Sequence, residues 1–341
     1  MEQRITINDV AERCGVSIAT VSLVINNRPG VSQATRSRVL EIAQSLNYPL
    51  KNGVAKAAKL ENLAMLVKSE PDMPPHANPF YSKVIMGIEE ACRRNGINLL
   101  FATLPVNENN HPVDIPSLLT SNLPDGLLMV GTFVDETILS VTGRRKLPIV
   151  LVDAYSTGEN FDAIVSDNFG ASYQAVQYLL QKGHRHIAFA GGEMDSYPSL
   201  CDRRNGYLRA LKEKEIPDVY TADYNIMKSK GEAEILRLLQ DNPQITAIFG
   251  VNDNVAVSVL NLLQNQGRRV PEDISVIGYD DSVFATRCSP GLTTMHVDTE
   301  TMGRAAVQII SMRLEHPESA RMSLFIHPTL VERESVSSPR S

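Results

Sequence analysis

From residue 63 onwards the hydrophobic positions fall into short continuous runs of about five residues, at 63–67, 98–102, 126–130, 148–152, 186–190, 247–251 and 274–278. Each run is bounded by polar or turn residues, the pattern of a parallel strand buried on both faces. Between them lie helical patterns over 81–95, 171–182, 204–215, 230–240 and 255–266. Alternating strands and helices predict open parallel sheets with helices on both faces. About 280 residues of this pattern predict two such lobes.

The first 50 residues read differently, as three short helices. Thr6-Ile7-Asn8-Asp9 has the form of a capping box, and Val10, Ala11 and Cys14 follow at helical spacing. Gly15 suits the positive φ of a helix-ending turn. Ser17 can cap a second helix from 18 to about 25, and Asn26-Asn27-Arg28-Pro29-Gly30 reads as a loop. Ser32 can cap a third helix with an apolar stripe of Val39, Ile42, Ala43 and Leu46. Helix, tight glycine turn and helix predict a helix-turn-helix, whose second helix enters the major groove. The hydroxyls of Ser17, Thr20 and Ser22 suit phosphate contacts there. A small three-helix bundle with no DNA role is the plainer alternative.

Charge changes the picture more than composition does. At 341 residues, 43% hydrophobic and 21% charged, the chain reads as a soluble globular protein of more than one domain. No apolar run approaches the ~20 residues of a membrane span. The start, Met1-Glu2-Gln3-Arg4-Ile5, lacks a secretory pattern, so a cytoplasmic location is expected. Cys14, Cys92, Cys201 and Cys288 form no C-x-x-C pair, which argues against a disulfide framework or a zinc site. The net charge of −6 divides into +4 over residues 1–60 and −10 over the rest. A basic head on an acidic body is the distribution of a polyanion-binding module joined to something else.

In open parallel sheets, ligands sit beyond the C-terminal ends of the strands. The loops at those positions hold Asn78, Phe80 and Tyr81; Asp153; Tyr197, Ser199 and Arg203; Asn252, Asp253 and Asn254; and Tyr279, Asp280 and Asp281. Polar forks beside aromatic faces fit a polyhydroxylated ligand, through bidentate hydrogen bonds and ring stacking. Asp253 and Asp281 taken singly read as turn residues. His184 and His186 have no carboxylate or cysteine cluster with them and read as loop or strand-start residues. No phosphate-loop, zincin or nucleophile-elbow motif occurs, so neither an enzyme nor a cofactor is expected.

Ile5-Thr6-Ile7-Asn8-Asp9-Val10-Ala11, Gly15-Val16-Ser17-x-x-Thr20-Val21-Ser22-x-Val24-x-Asn26 and Val31-Ser32-x-x-Thr35-Arg36-x-x-Val39 with Tyr48 resemble the head of the LacI/GalR regulators. Cys14 stands where that family usually has alanine. The resemblance continues through Asn78-Pro79-Phe80-Tyr81, Asp167-Asn168, Arg203-x-x-Gly206-Tyr207, Asn252-Asp253 and Val276-Ile277-Gly278-Tyr279-Asp280-Asp281. It implies a head over 1–50, a hinge over 51–62, and a periplasmic-binding-protein-like body. The body would divide into one lobe of 63–182 with 298–326 and another of 183–297 with 327–341, joined by three crossovers.

By the same resemblance, DNA contacts fall on Thr6, Ser17, Ile18, Ala19, Thr20, Ser22, Leu23, Asn26, Ser32, Thr35, Arg36 and Tyr48. Asn52, Ala55 and Ala58 would contribute from the hinge. Leu23 stands where members commonly place a guanine-reading arginine, and Ala58 takes the position of the family's leucine wedge. Base readout is therefore expected to lean on apolar contact by Ile18, Ala19 and Leu23. Effector contacts would fall on Arg203, Asn252 and Asp280. Asn78, Phe80, Tyr81, Phe169, Tyr197, Ser199 and Tyr224 would complete the pocket. Ala154 stands where many members carry arginine and Ala171 where many carry glycine. The segment 105–117 is short and proline-rich against the family pattern. The implied function is a repressor that binds a pseudo-palindromic double-stranded operator as a homodimer and senses a sugar or nucleoside-like effector. Its alternative is a ligand-binding protein whose head has lost specific DNA recognition. The short polar end after Val336 predicts a dimer rather than a tail-assembled tetramer.

Overall fold

A computed structural model describes residues 5–25, 28, 30–46, 48, 60–70, 74–107, 109–143, 147–156, 161–191, 197–224 and 231–340. Asn26, Asn52, Ala55 and Ala58, and nearly all of the expected hinge, lie outside these. The chain divides into two compact units, Met1–Lys59 and Leu60–Ser341. No helix among the described residues is long and apolar enough to cross a membrane.

The described residues of the head form three helices, α1 (Ile7–Cys14), α2 (Ile18–Ile25) and α3 (Gln33–Ser45). Their starts are set by short polar side chains. The Thr6 backbone N–H and hydroxyl both donate to the Asp9 carboxylate, at 2.7 and 2.8 Å. Thr20 N–H donates to Ser17 Oγ at 3.1 Å, and Thr35 N–H to Ser32 Oγ at 3.3 Å. Gly15 ends α1 at φ +66°, where a side chain would be strained. Val10, Ala11, Cys14, Val21, Val24, Ile25, Val39 and Ala43 are buried together as one core.

The body runs β1 (Asn62–Ser69), α4 (Pro79–Asn95), β2 (Asn98–Pro105), α5 (Ser117–Thr120), β3 (Gly126–Val130), β4 (Phe133–Val134), α6 (Glu136–Thr142), β5 (Ile149–Val152), β6 (Tyr155–Ser156), β7 (Asp162–Ser166) and α7 (Asn168–Gln181). It continues with β8 (Ile187–Ala190), α8 (Pro198–Glu213), β9 (Tyr220–Ala222), α9 (Gly231–Asp241), β10 (Ala247–Gly250), α10 (Asp253–Asn265), β11 (Ser275–Ile277) and α11 (Val283–Arg287). It closes with β12 (Thr294–His296), α12 (Thr299–Glu315), β13 (Ser323–Ile326) and β14 (Thr329–Val331). A six-stranded parallel sheet has the order β13-β7-β5-β3-β1-β2, and a four-stranded parallel sheet has the order β11-β10-β8-β9.

The period-two rule is visible in the first sheet. Leu63, Met65, Val67, Leu128 and Val130 share one core, while Ala64, Leu66, Leu127 and Met129 share another on the opposite face. Parallel strands covered on both faces therefore appear as unbroken apolar runs.

Two features differ from the sequence expectation. Helix α7, expected with the first lobe, packs against α8 and β10 of the second. Gly206 permits this, because a Cβ there would overlap the Phe169 carbonyl and crowd Ser172 on α7. Helix α12 was not among the expected helices. Its contact face with α4 is built from small residues, which an apolar count underweights. A Cβ on Gly303 would overlap the Val84 carbonyl, and one on Gly87 the Glu300 carbonyl. Gly303→Ala is expected to cost about 1–3 kcal/mol of body stability, the usual cost of overpacking, read as a lowered urea midpoint at constant slope. An unchanged midpoint would mean that the two helices separate without cost.

The C-terminal tail lies along β11 and is stitched to it. Val276 N–H donates to the Ser335 carbonyl at 2.9 Å, the Ser335 hydroxyl donates to the Val276 carbonyl at 2.6 Å, and Ser337 N–H donates to Ser275 Oγ at 3.1 Å. His184 is buried and bridges Thr246 Oγ1 (2.9 Å) and the Ser337 carbonyl (2.8 Å), a strand-start role.

Candidate functional site

The strand ends of both sheets converge on Arg203. This side chain leaves the first turns of α8 and is 5% exposed. Its Nε donates to Asn168 Oδ1 at 2.9 Å, its Nη1 to the Val251 carbonyl at 2.8 Å, and its Nη2 to Asp280 Oδ1 at 3.1 Å. Its guanidinium carbon lies 3.7 Å from the centre of the Tyr279 ring. The motif Arg203-x-x-Gly206-Tyr207 explains the placement. Gly206 lets α8 close onto α7, which carries Asn168. Tyr207 is fully buried, and its hydroxyl lies 2.9 Å from the Ile187 carbonyl and 3.2 Å from both backbone polar atoms of Tyr220, anchoring α8 over β8 and β9.

The backbone is set in uncommon conformations here. Asp153, Asp280 and Asp281 have φ of +47°, +106° and +52°. Non-glycine residues in this region concentrate at functional turns. The Asp280 turn is held by its own N–H, which donates to the Met295 carbonyl at 2.8 Å. Burial pushes the Asp280 carboxyl up to about 6, against the opposing pull of Arg203. Burial and the nearby Asp280 charge push Asp253 up to about 7. Asp253 accepts from Ser282 N–H and the Thr294 hydroxyl, both at 2.6 Å, and Asp281 pairs with Arg333 at 2.6 Å. Both are tied to the fold, as turn residues are.

A second cluster faces Arg203 from the first lobe. The Tyr81 hydroxyl donates to Asp153 Oδ2 at 2.8 Å, and the Tyr197 hydroxyl donates to the Asp153 carbonyl at 3.0 Å. The Tyr197 ring meets Phe133 and Tyr155 edge-on, with centroids 5.1 and 5.0 Å away. Lys68 Nζ sits 5.3 Å from the Tyr81 centroid and 5.8 Å from that of Tyr197. Burial raises the Asp153 carboxyl, partly offset by Tyr81, Arg203 and Lys68. Ser199 is buried.

Arg203, Asp280, Tyr197, Ser199 and Tyr81 thus fall in or beside one network. Phe80 is half-buried against Tyr81, and Phe169 is exposed on the wall of a neighbouring cavity. Asn78 and Asn252 are helix caps: Asn78 Oδ1 accepts from Phe80 and Tyr81 N–H, and Asn252 Oδ1 from Val255 N–H. Tyr224, expected on the pocket wall, follows the end of β9. It is buried, with its ring against Gly231 at the start of α9. Lys68, Phe133 and Tyr155 join Asn168 and Asp153 around this network, and no sequence signal marks these three. The flanking polar loops were legible, but nothing in a single sequence brings β1, β4 and β6 together.

On the head, α2 buries Val21, Val24 and Ile25 and turns Ile18, Ala19, Ser22 and Leu23 outward to differing degrees, with Ile18 half exposed. Ser17, Thr20, Ser32 and Thr35 cluster at the starts of α2 and α3, where N–H groups suit phosphate. Thr6 is exposed at the start of α1. Arg36, a DNA contact by resemblance, is also tied into the head. Its guanidinium donates to the carbonyls of Arg28 (2.6 Å) and Val24 (3.4 Å), which fastens α3 to the end of α2. Tyr48 packs at the edge of the head core.

These features define a class of protein: a helix-turn-helix head joined to a two-lobed α/β body with a polar and aromatic site at its strand ends. Residues 6–49 match the profile described as "Bacterial regulatory proteins, lacI family", and residues 176–336 match a periplasmic binding protein-like domain. The chain is 32% identical over 342 residues to the HTH-type transcriptional repressor PurR of Aliivibrio salmonicida, covering 97% of this chain and 98% of that protein. It is 31% identical over 338 residues to the ribose operon repressor of Haemophilus influenzae, with the same coverage. Among solved structures it resembles a transcriptional regulator CelR–cellobiose complex at 29% identity and a TM-score of 0.67, covering 97% of this chain and all of that one. The Lac repressor dimer bound to operator shares the fold at 22% identity, with a TM-score of 0.65 over 98% of this chain and 100% of that one. The chain belongs to the LacI family of bacterial regulatory proteins. It is a DNA-binding transcriptional repressor, not an enzyme.

Proposed function

We propose that this repressor binds a pseudo-palindromic operator as a homodimer and senses a small polyhydroxylated effector, a sugar or nucleoside, between its lobes. The observation that carries this reading is the convergence of Arg203, Asn168, Asp280 and the Tyr279 ring at the strand ends. Such a fork recognises adjacent hydroxyls, and the ring faces nearby suit the flat side of a sugar or base. Relatives support the class of effector: one is a ribose operon repressor, and one structural neighbour is a cellobiose complex. The effector competes for the hydrogen bonds that Arg203 makes within the protein. Rearrangement of this network shifts the lobes and changes the free energy of docking two heads on one operator.

The head reads its site through apolar contact by Ile18, Ala19 and Leu23, with Ser17, Thr20 and Ser22 set against phosphates. Selection from random and genomic DNA with the full-length protein, repeated with sugars and nucleosides, tests both halves. The expected result is a palindrome of roughly 14–20 base pairs, with occupancy shifted by one compound. No enrichment under any condition would overturn the regulator reading in favour of a ligand-binding protein with an inactive head.

A further inference from the structure

Tyr197 opens α8, the helix that Tyr207 anchors over β8 and β9. Among the described residues, the ring and hydroxyl of Tyr197 instead meet partners at the strand ends of the six-stranded sheet. Phe133 and Tyr155 are register partners in the two-stranded ribbon of β4 and β6, so their rings leave the same face. Their planes stand at 76° and 87° to the Tyr197 ring, the edge-on geometry that favours a ring seated against both. Lys68 Nζ lies 5.8 Å from the centre of the same ring. Asp153, at φ +47°, turns its carbonyl to the Tyr197 hydroxyl at 3.0 Å and its carboxylate to the Tyr81 hydroxyl at 2.8 Å. This recess adjoins Arg203, whose charge acts on both Asp153 and Tyr155. It is also held from outside: Tyr155 N–H donates to the Thr132 carbonyl at 3.1 Å, and Phe133 N–H to the Asn110 carbonyl at 3.0 Å. His111 stacks on Phe133 with centroids 4.7 Å apart. The recess therefore keeps its shape without Tyr197.

The hold of Tyr197 on the recess is light. Its side chain is half-buried and makes one hydrogen bond among the described residues, to a neutral carbonyl. Tyr207, by contrast, is fully buried and bonded to the backbone of both Ile187 and Tyr220, so α8 keeps its seat when Tyr197 leaves. We propose that Tyr197 is a displaceable clasp between the two sheets. Its ring occupies the aromatic recess that the effector's ring takes, so clasp and effector exclude each other. The clasp rests on the effector reading above and adds the residue that sets the sensitivity of that site. A cleft occupied by its own side chain binds ligand more weakly, in proportion to the fraction of molecules in which it is free.

The test is calorimetric titration of the full-length parent, Tyr197→Phe and Tyr197→Ala with ribose, cellobiose and adenosine. At least one of these is expected to bind Tyr197→Ala roughly tenfold or more tightly than the parent, the size of the ring contacts and hydrogen bond removed. Tyr197→Phe keeps the ring contacts and loses only the bond to Asp153, so its affinity should lie between. It also disturbs the fold least. A residue that holds the effector would give the opposite order. Equal or weaker binding by both variants, for every probe that binds the parent, therefore overturns the clasp. A second arm uses p-cresol, the side chain that Tyr197→Gly removes. That variant should bind p-cresol roughly tenfold or more tightly than the parent, and adding Phe133→Ala should abolish the gain. No gain overturns the preformed recess and the clasp with it. The two readings fail separately. A probe bound equally by all three proteins keeps the effector reading and overturns the clasp. If no probe binds any of them while p-cresol fills the recess, the clasp stands and the sugar or nucleoside effector is overturned.

Discussion

Arg313→Met is expected to cost the body about 3–5 kcal/mol, the range seen when one partner of a buried ion pair is removed. Arg313 and Asp162 have side chains only 2% and 0% exposed, and they pair through two bonds, Nε–Oδ2 at 2.7 Å and Nη2–Oδ1 at 2.8 Å. The same guanidinium donates to the carbonyls of His316, Pro317, Ser319 and Ala320. Its loss therefore strands a buried carboxylate and unties the turn that leads from α12 into β13. The remaining partners are Met322 N–H at 3.1 Å and the more exposed Arg321 at 3.3 Å, which soften the loss without replacing the fork.

Against a domain stability of roughly 5–15 kcal/mol this is a large fraction. It should appear as a lowered urea midpoint of the isolated transition that reports the body. The pH dependence follows from the same pair. Burial alone would raise the Asp162 carboxyl, but Arg313 and Met322 hold it below its usual value. A carboxyl depressed in the fold contributes stability that is full above about pH 4 and lost as pH falls through the folded value. Arg313→Met should therefore flatten the acid limb. The double variant Asp162→Leu/Arg313→Met should recover much of the loss, since an apolar pair leaves no buried charge. A single variant within 1 kcal/mol of the parent would show that the pair contributes little.

The helix-turn-helix and the two parallel sheets were legible because each depends on local signals. Polar caps mark the helix starts at Thr6, Ser17 and Ser32, Gly15 marks a stop, and unbroken apolar runs mark strands covered on both sides. The remaining elements depend on their neighbours in space. Strand β13 is an edge strand with Leu324 and Phe325 exposed, so it shows no burial pattern. Helix α12 packs through glycine and alanine. Arg203 and Asp280 were readable as site residues from their loops and from the family motif. Their pairing was not, nor was the clasp of Tyr81 and Tyr197 on Asp153, because those residues are 72 and 44 positions from it in sequence.

Arg203→Met should weaken the response to the effector about a hundredfold or more while leaving the protein folded. Three donors in three directions are lost, and a lysine cannot replace them, so Arg203→Lys should fail as well. The effector concentration needed to shift operator occupancy is expected to rise by about a hundredfold or more, on the order of one or two charged hydrogen bonds. The stability loss at pH 7 should be smaller than for Arg313→Met, for an electrostatic reason. Burial already holds the Asp280 carboxyl near 6, and Arg203 is what keeps it from rising further. Without the guanidinium, Asp280 takes up a proton at neutral pH rather than staying as a stranded charge. A carboxyl raised in the fold binds its proton more tightly than the unfolded chain does, so its contribution declines as pH rises through the folded value. In the variant that decline should move to higher pH, and urea midpoints between pH 5 and 9 would record it. Operator titrations with and without the effector found by DNA selection supply the functional readout. A variant that responds at the parent's concentration would place the effector away from Arg203 and would overturn the cleft as the sensing site.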